Sequence, residues 1–403
     1  MASMLEQPRH VYDVLRPVLI LSKVFGFNVF ELQGEPPYVQ MKVTRANYAS
    51  LLFNFVGNSF CVFLNTKNRQ LSKLTGSAVM NSGLSFLFPF GAIVFNVLAV
   101  DSFFRRRTTC AIIAEFFEFD RSLQRKNYQV AHKDHLRVLS SSLIVSVLMI
   151  VVGTLYSLLM ALISSFSLQN HVINAFSYFY TGVQFLIINF QFICAARLVS
   201  FRLNDIDRCL KRHWKRGQWC IEQNNRWGRK LEPMDVVEEL AGDVAALVRI
   251  VERVNRVYAN QILGCIVGLS MFGIFVIYAA AYSYYTGTVE EKRLTTILVA
   301  TSSFYVIVTT YVFRSGVAVA NGNKAIIQTL NKAILSIKDR ILKTKLLCFS
   351  QQLLHRAPRL QSLFCEFNVK TIFSICGFIV TYLIILVQFD ETSHGSFTGI
   401  KAQ

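Results

Sequence analysis

The sequence is short of charge and of proline for its length. Of its 403 residues, 16% are charged, 7 are proline and 53% are hydrophobic, and the mean hydropathy is +0.40. A soluble domain usually carries about 25% charged residues to cover its surface. A disordered chain would not contain 34 Phe. The composition therefore excludes a disordered chain and an ordinary cytosolic enzyme, and it indicates an all-α polytopic membrane protein.

The sequence also lacks the short motifs of common enzyme, metal-binding and secreted classes. It has no Walker loop, no G-x-S-x-G elbow, no H-E-x-x-H, no CxxC pair and no N-x-S/T sequon. His132 and His135 lie three residues apart, but no cysteine is near them in the sequence. We therefore expect no catalytic residues, no enzyme activity, no cofactor and no metal site.

Long apolar runs without charge predict seven transmembrane helices, because a helix needs about 20 apolar residues to cross the hydrocarbon core. The stretch 138–196 has no charge at all, and its polar break at 165–174 divides it into two spans. The predicted spans are 48–64, 77–100, 140–165, 173–199, 262–285, 294–313 and 371–389. The more charged run 11–30 predicts an interfacial or re-entrant helix instead.

The distribution of Lys and Arg predicts the orientation of these spans. Of the 42 Lys and Arg, 34 lie in segments that would share one side of the membrane and six lie in segments on the other side. The positive-inside rule therefore predicts a cytoplasmic N-terminus and an extracellular C-terminus, the reverse of a G-protein-coupled receptor. The net charge of +18 has no zinc-finger, RRM or KH signature beside it, so we expect no nucleic acid as a partner. We expect membrane lipids instead, with the basic loops retained at the anionic cytoplasmic leaflet.

Amphipathic patterns continue beyond several spans and predict a cytoplasmic anchor built from extensions of helices 4–7. In 324–348, apolar side chains recur on one helical face, and a further short amphipathic helix is predicted after Pro358. The alternative is separate helices lying on the leaflet. The predicted division of the chain is a cytoplasmic N-terminal segment 1–47, spans one to four in 48–199, cytoplasmic extensions in 200–261, spans five and six in 262–313, anchor helices in 314–369, the last span in 370–389 and an extracellular tail in 390–403.

The last span carries a stripe of polar side chains. Ser374, Thr381 and Gln388 are spaced by seven residues, and such a step brings a helix back to within about 20° of the same direction. Lipid is a poor environment for these side chains, so the stripe must face protein or water. It either packs inside one subunit or, with several copies around an axis, lines a pore. Asp390 and Glu391 follow and would form an acidic ring at the pore mouth, or simply a solvated helix end.

The same span resembles the insect gustatory receptor family. Thr381, Tyr382, Gln388 and Phe389 form the pattern T-Y-x₅-Q-F, and the length of the chain and its N-inside seven-span layout are similar to the family along its whole length. The resemblance implies a tastant-gated, non-selective cation channel in the plasma membrane of sensory neurons. It implies a homotetramer, or heteromers with other gustatory receptors, with a central pore lined by the last helix. The resemblance implies that Gln388 and Phe389 form the constriction of this pore. The polar stripe supports Thr381 and Ser374 as further pore-lining residues, and Ile384 and Ile385 are also predicted to line the pore.

The resemblance further implies a small-molecule tastant bound in the extracellular half of each subunit. Aromatic walls with a few polar groups suit such a site, and nine residues of the outer spans provide them: Asn81, Phe86, Tyr156, Tyr180, Gln184, Tyr278, Tyr282, Ser303 and Tyr305. Each could instead belong to an interfacial aromatic belt or to ordinary packing. The scarcity of charge favours a neutral or mildly cationic apolar ligand. The alternatives are a receptor that signals through a cytoplasmic partner without conducting, and a lipid transferase or transporter.

Overall fold

Nine α-helices and one short β-hairpin make up the part of the chain that the structure, a computed structural model, describes. That part comprises residues 10–28, 30–33, 40–67, 78–125, 128, 130–163, 168–215, 233–285, 289–362 and 364–400. The helices are α1 (Val11–Val24), α2 (Arg45–Lys67), α3 (Ala78–Arg125), α4 (His132–Ile163), α5 (Leu168–Lys215), α6 (Pro233–Tyr285), α7 (Val289–Ser336), α8 (Arg340–His355) and α9 (Val369–Ile400). The strands β1 (Glu31–Gln33) and β2 (Gln40–Lys42) pair antiparallel, with Leu32 opposite Met41.

Six of these helices are long and apolar enough to cross a membrane. Apart from the short β-hairpin and the loops, the described part of the chain is helical. The six segments among the described residues are Ser85–Arg125, His132–Leu159, Ala175–Arg212, Met234–Tyr284, Thr295–Ser336 and Val369–Phe389. The first predicted span, now α2, is not among them. Asn47, Asn54 and Asn58 lower its hydropathy, yet all three are buried. The count of seven therefore stays a prediction for α2.

Helix α5 is the centre of the bundle. In its apolar span, 94% of the residues are buried inside the subunit, against 11% for α4 and 0% for α9. A helix surrounded by others must be apolar on every face, and the part of α5 from 168 to 196, which has no charged residue, meets that requirement. Helices α4, α6 and α7 pack around it, together with α1 and α2. The low burial of α4 and α9 leaves both with broad outward faces.

Helix α1 is short and packs on the bundle. Its 14 residues are too few to cross a bilayer, and Val11, Val14 and Val18 are buried in the main core. The turn after it needs Gly26, whose φ is +73° and whose missing Cβ would lie 2.8 Å from the carbonyl oxygen of Ser50. This turn brings the end of α1 against the start of α2.

The spans in α5, α6 and α7 continue as helices beyond their apolar parts, as the sequence predicts. The prediction needs two corrections, one in the region of α7 and α8 and one in α3. The prediction of one helix over 324–348 is wrong, because α7 ends at Ser336 and α8 begins at Arg340. Asp339 caps α8 by accepting a hydrogen bond from the Ile341 backbone N–H at 2.9 Å. The sequence also missed the extension of α3, which runs 25 residues beyond its predicted span to Arg125.

The segment between α8 and α9 is not the short helix that the sequence predicts. Its described residues from 357 to 368 contain no helix. Asn255 of α6 holds this loop through two backbone groups, the carbonyl of Arg359 (2.8 Å) and the N–H of Gln361 (3.2 Å). Pro358 and the tie to Asn255 favour a loop because backbone groups bonded to a side chain cannot also bond along a helix.

A buried ion pair joins α3 and α5 in the extended part of the bundle. Arg202 is fully buried, and its Nε and Nη2 donate to the two carboxylate oxygens of Asp120 at 2.6 and 2.9 Å. Its Nη1 lies 3.2 Å from Nδ1 of His135 on α4. The hydroxyl of Tyr128 donates to Asp205 at 2.9 Å, and burial together with this carboxylate raises the pKa of Tyr128. The cluster fixes α3, α4 and α5 relative to one another.

Replacing Arg202 by Leu should strongly destabilise the protein. The change leaves the Asp120 carboxylate buried without its cation, which costs about 3–5 kcal/mol. The measurement is the temperature at which detergent-solubilised protein loses its monodisperse peak in size-exclusion chromatography. Arg208→Leu is the matched control, because its side chain is 67% exposed and lies 3.8 Å from Asp205. Equal loss in the two variants would contradict a structural role for the buried pair.

Tags at the two ends of the chain should report the number of spans. With α2 as a seventh span, an N-terminal tag is labelled only after permeabilisation, whereas a C-terminal tag is labelled on intact cells. Immunofluorescence on cells that express the full chain measures both. If both tags need permeabilisation, the chain crosses the membrane an even number of times and α2 is not a span.

Candidate functional site

Helix α9 packs against its own subunit along a single face. Ile372 and Ile375 contact the main core, and Leu383 and Leu386 join a second small cluster with Leu87 and Tyr278. Ile379 approaches Gly273 of α6. These five positions recur every three to four residues and so form one stripe along the helix.

The polar stripe lies on the opposite side of α9. Ser374, Thr381 and Gln388 are all exposed in the subunit, and a Cβ on Gly377 would meet nothing within 4 Å. With 3.6 residues per turn, the polar stripe and the packed stripe are centred about 170° apart. The sequence allows two interpretations of the stripe, packing inside one subunit or lining a pore. The exposure of the stripe does not fit packing inside its own subunit.

The other predicted pore residues border this stripe. Ile384 and Ile385 are exposed on either side of it, whereas Phe389 and Tyr382 point about a quarter-turn away. Phe389 is 66% exposed, which is unusual for a Phe unless lipid or another chain covers it. Helix α9 continues to Ile400, but the side chains of Asp390 and Glu391 lie outside the described part of the structure.

The start of α9 is tightly fixed. The hydroxyl of Thr371 donates to the carbonyl of Glu366 at 2.6 Å, and its backbone N–H donates to Asn368 Oδ1 at 3.1 Å. Phe367 is buried between Phe192 of α5 and Phe313 of α7. Its carbonyl oxygen would lie 2.3 Å from a Cβ at Gly316, so only glycine allows this approach. The start of α9 is therefore anchored to α5 and α7.

A cavity of about 140 Å³ lies within the bundle among α3, α5, α6 and α7. Its walls are aromatic and aliphatic, its polar groups are the hydroxyls of Thr181 and Tyr305 and the thiol of Cys265, and no charged side chain lines it. Tyr305 stands among aromatic rings, with its centroid 4.8 Å from that of Phe185 and 5.9 Å from that of Phe272. An apolar cavity with a few polar groups is the usual form of a small-molecule site.

The cavity shares part of its wall with the contact surface of α9. Leu87 and Phe272 line the cavity, and both belong to the small cluster that includes Leu383 and Leu386. Leu87 therefore belongs both to the wall of the cavity and to the cluster against which Leu383 and Leu386 pack. The cavity and the packed face of α9 border the same small group of side chains.

Two predicted ligand residues belong instead to a buried polar network. Gln184 donates to Asn54 Oδ1 at 2.8 Å, and the hydroxyl of Tyr180 donates to the Asn54 carbonyl at 3.3 Å. Asn58 donates both to Asn54 Oδ1 (2.9 Å) and to Asn96 Oδ1 (2.7 Å). The network joins α2, α3 and α5. It gives partners to Asn54 Oδ1 and Asn58 Nδ2, whereas Asn54 Nδ2 and Asn58 Oδ1 have none among the described residues.

The remaining predicted ligand residues are scattered, and only Tyr305 lines the cavity. Phe86 is exposed and stacks on the cavity residue Phe90 with centroids 5.5 Å apart. Tyr278 is buried in the second cluster beside Tyr282. Tyr156 is half-buried, Ser303 is exposed, and the side chain of Asn81 lies outside the described part of the structure. The cavity lies near the middle of the predicted spans, deeper than the extracellular half that the family resemblance implies.

Sequence reasoning missed most of the cavity residues because they are ordinary apolar side chains and glycines. Gly91, Gly264 and Gly268 line the cavity and leave space that side chains would fill. One signal was present: Gly264 and Gly268 are four residues apart on one helix face, the small-residue spacing typical of close helix contacts. Such spacing predicts close packing, however, and not a cavity.

Comparison with known proteins gives the family. The sequence model described as the 7tm chemosensory receptor family matches residues 15–393, nearly the whole chain. The chain belongs to this chemosensory receptor family. It is a family of receptors rather than of enzymes, and its membrane helices make this receptor a multi-pass membrane protein. A search of curated protein sequences finds no match.

Solved structures show that the receptor shares its fold with an olfactory receptor. It is similar to the insect olfactory receptor OR5 from Machilis hrabei, with a TM-score of 0.66 and 12% sequence identity over 93% of this chain and 97% of that one. The structure of OR5 in complex with eugenol matches with a TM-score of 0.53 and 11% identity over 94% and 98% of the two chains. At this identity the likeness concerns the fold alone.

Proposed function

We propose that this receptor is a gustatory receptor that acts as a tastant-gated, non-selective cation channel. In this proposal four copies surround a central pore, α2 is the seventh span, and the last helix forms the pore wall. The observation that carries the proposal is the arrangement of α9, whose polar stripe faces directly away from the subunit that holds it.

The environment of the stripe favours a pore over lipid. Hydroxyl and amide side chains are costly in hydrocarbon, so an exposed stripe on a membrane helix needs water or another protein surface. The hydroxyls of Thr381 and Ser374 donate to the carbonyls of Gly377 (2.9 Å) and Lys370 (3.3 Å) in the same helix. Their remaining lone pairs can face cations in a water-filled pore. Several copies of α9 around an axis turn their stripes toward a water-filled centre, so the stripe needs no other protein surface to cover it.

The cavity is the proposed ligand site. Its apolar walls, two hydroxyls and lack of charged lining suit a small neutral molecule with one or two hydrogen-bonding groups. The related receptor OR5 has a structure with eugenol, a molecule of that class. Binding would favour the open state only by the difference between its affinities for the two states. The shared wall at Leu87 and Phe272 provides that difference by moving α9.

Substitution of Gln388 tests the pore. In cells that express this chain alone, Gln388→Glu should change the calcium-to-sodium permeability ratio about twofold or more, since a unit charge about 8 Å away in water contributes about 0.5 kcal/mol. Whole-cell reversal potentials under ion substitution measure the ratio. Val387→Ala, one residue off the stripe, is the control and should leave it unchanged. Ligand-evoked second messenger without current would show a receptor that signals through a partner instead.

Filling the cavity tests the ligand site. Gly268→Leu places a side chain in the cavity without a backbone clash, because a Cβ there meets nothing within 4 Å. The half-maximal ligand concentration should rise by about tenfold or more, as overfilled packing costs about 1–3 kcal/mol. Currents evoked by sugars, bitter compounds and eugenol give the measurement.

Gly242→Leu is the matched control for the cavity variant. Gly242 is also on α6 and also has open space at its Cβ, but it does not line the cavity. Both changes remove a helical glycine and should be similarly tolerated in folding. If the two variants respond alike at normal surface expression, ligand does not bind in this cavity.

A further inference from the structure

A second cavity, the α4–α7 groove, opens on the outer surface of the bundle. It has a volume of about 380 Å³ and is lined by residues of α4, α5 and α7. Its apolar part includes Val145 and Ile307, both more than half exposed. Its polar part is a row of hydroxyls from Ser141, Ser142, Ser146, Thr310 and Tyr311, with Arg314 beside them. This mixture differs from the apolar cavity inside the bundle, and the channel proposal makes no use of it.

The groove lies where three helices leave the hydrocarbon on the basic side. Arg314 is the first charge on α7 after Arg293, Arg197 is the first on α5, and Arg137 is the last on α4 before its charge-free stretch. Ser141 is one helical turn beyond Arg137. Basic side chains at such positions reach the phosphate layer of the bilayer. The polar end of the groove is therefore at headgroup depth and its apolar part at acyl-chain depth.

The polar groups of the groove complement a headgroup that has both a negative charge and hydrogen-bond donors. Ser141 and Ser146 already donate to the backbone carbonyls of Val138 (3.0 Å) and Ser142 (2.8 Å), so their oxygens remain as acceptors. Arg314 is exposed at the rim. Guanidinium groups are well suited to phosphate because they donate two parallel hydrogen bonds.

Arg197 adds a second donor behind the hydroxyl row. Its guanidinium lies over the ring of Tyr311, 5.1 Å from the centroid, and the Tyr311 hydroxyl is 3.0 Å from that of Ser142. Its Nε is buried and has no hydrogen-bond acceptor among the residues that the structure describes. A buried cationic donor without an acceptor is costly, and an anionic group in the groove would lower that cost.

We infer that the α4–α7 groove binds an anionic phospholipid of the cytoplasmic leaflet, with its phosphate at Arg314 and its acyl chains along Val145 and Ile307. A serine headgroup fits the site best, because its ammonium can donate to the hydroxyl row while its phosphate and its carboxylate can accept from Arg314 and Arg197. The lipid would bridge α4, the least buried of the spans apart from α9, to α7. This inference needs the membrane embedding of the receptor but not its activity as a channel.

Lipid binding to the purified full-length receptor tests the inference. Dioctanoyl phosphatidylserine and dioctanoyl phosphatidylcholine are titrated separately in detergent, and native mass spectrometry gives the bound fraction. We expect the serine lipid to bind about fivefold tighter or better, and Arg314→Gln to weaken it about fivefold while leaving the choline lipid unchanged. Val145→Trp, which obstructs the apolar part, should weaken both lipids.

Controls separate a lipid site from other sources of the same chemistry. Arg340→Gln removes an exposed arginine at the start of α8, away from the groove, and should change nothing. Equal binding of the two lipids, or an equal effect of Arg314→Gln and Arg340→Gln, overturns the inference.

Competition by soluble glycerophosphoserine as strong as by the lipid would show a simple anion site. A change of oligomeric state in Val145→Trp with lipid binding intact would show a subunit contact. Either result also overturns it.

Discussion

Hydrocarbon offers no hydrogen-bond partners, and this constraint shapes every part of the receptor within the membrane. It forces the backbone into helices, and it forces each polar side chain either into a network or out of the lipid. Asn54 and Asn58 each find partners for one polar atom in Gln184 and Asn96 and in each other, which ties α2 into the bundle although its hydropathy alone does not mark it as a span. The polar stripe on α9 instead faces outward, where water or another copy of the receptor can supply hydrogen-bond partners.

Helix α9 connects the cavity and the polar stripe, the two parts of the candidate site, because one of its faces packs beside the cavity and the other carries the stripe. Its packed face joins the small cluster that contains Leu87 and Phe272, which also wall the inner cavity, and its outward face carries Ser374, Thr381 and Gln388. The buried side chain of Phe367 fixes the start of the helix against α5 and α7. A helix held at one end and pressed on one side by a cavity wall can move its outward face with little other rearrangement, which is the mechanical basis of the proposed gating.

In the extended part of the bundle, the helices are held by ionic rather than amide contacts. Arg202 is fully buried with both carboxylate oxygens of Asp120, and Tyr128 binds the neighbouring Asp205. Buried ion pairs contribute little net stability over apolar packing, but a missing partner is severely destabilising, so such a cluster specifies one arrangement of the helices. The cluster sets the mutual position of α3, α4 and α5, and α5 in turn is the helix on which the rest of the bundle packs.

The sequence by itself determined the helical membrane architecture, the polar stripe of the last span and the family, since these depend on hydropathy, on the spacing of residues along one helix and on a local motif. It did not determine the break at Ile337 to Asp339, the loop after α8 or the cavity. Those features arise where residues far apart in the chain meet, as when Asn255 binds the carbonyl of Arg359 or when Gly268 leaves space beside Tyr305. The direction in which the stripe faces also depends on the tertiary structure. Periodicity defines a face of a helix, but only packing determines which face is buried.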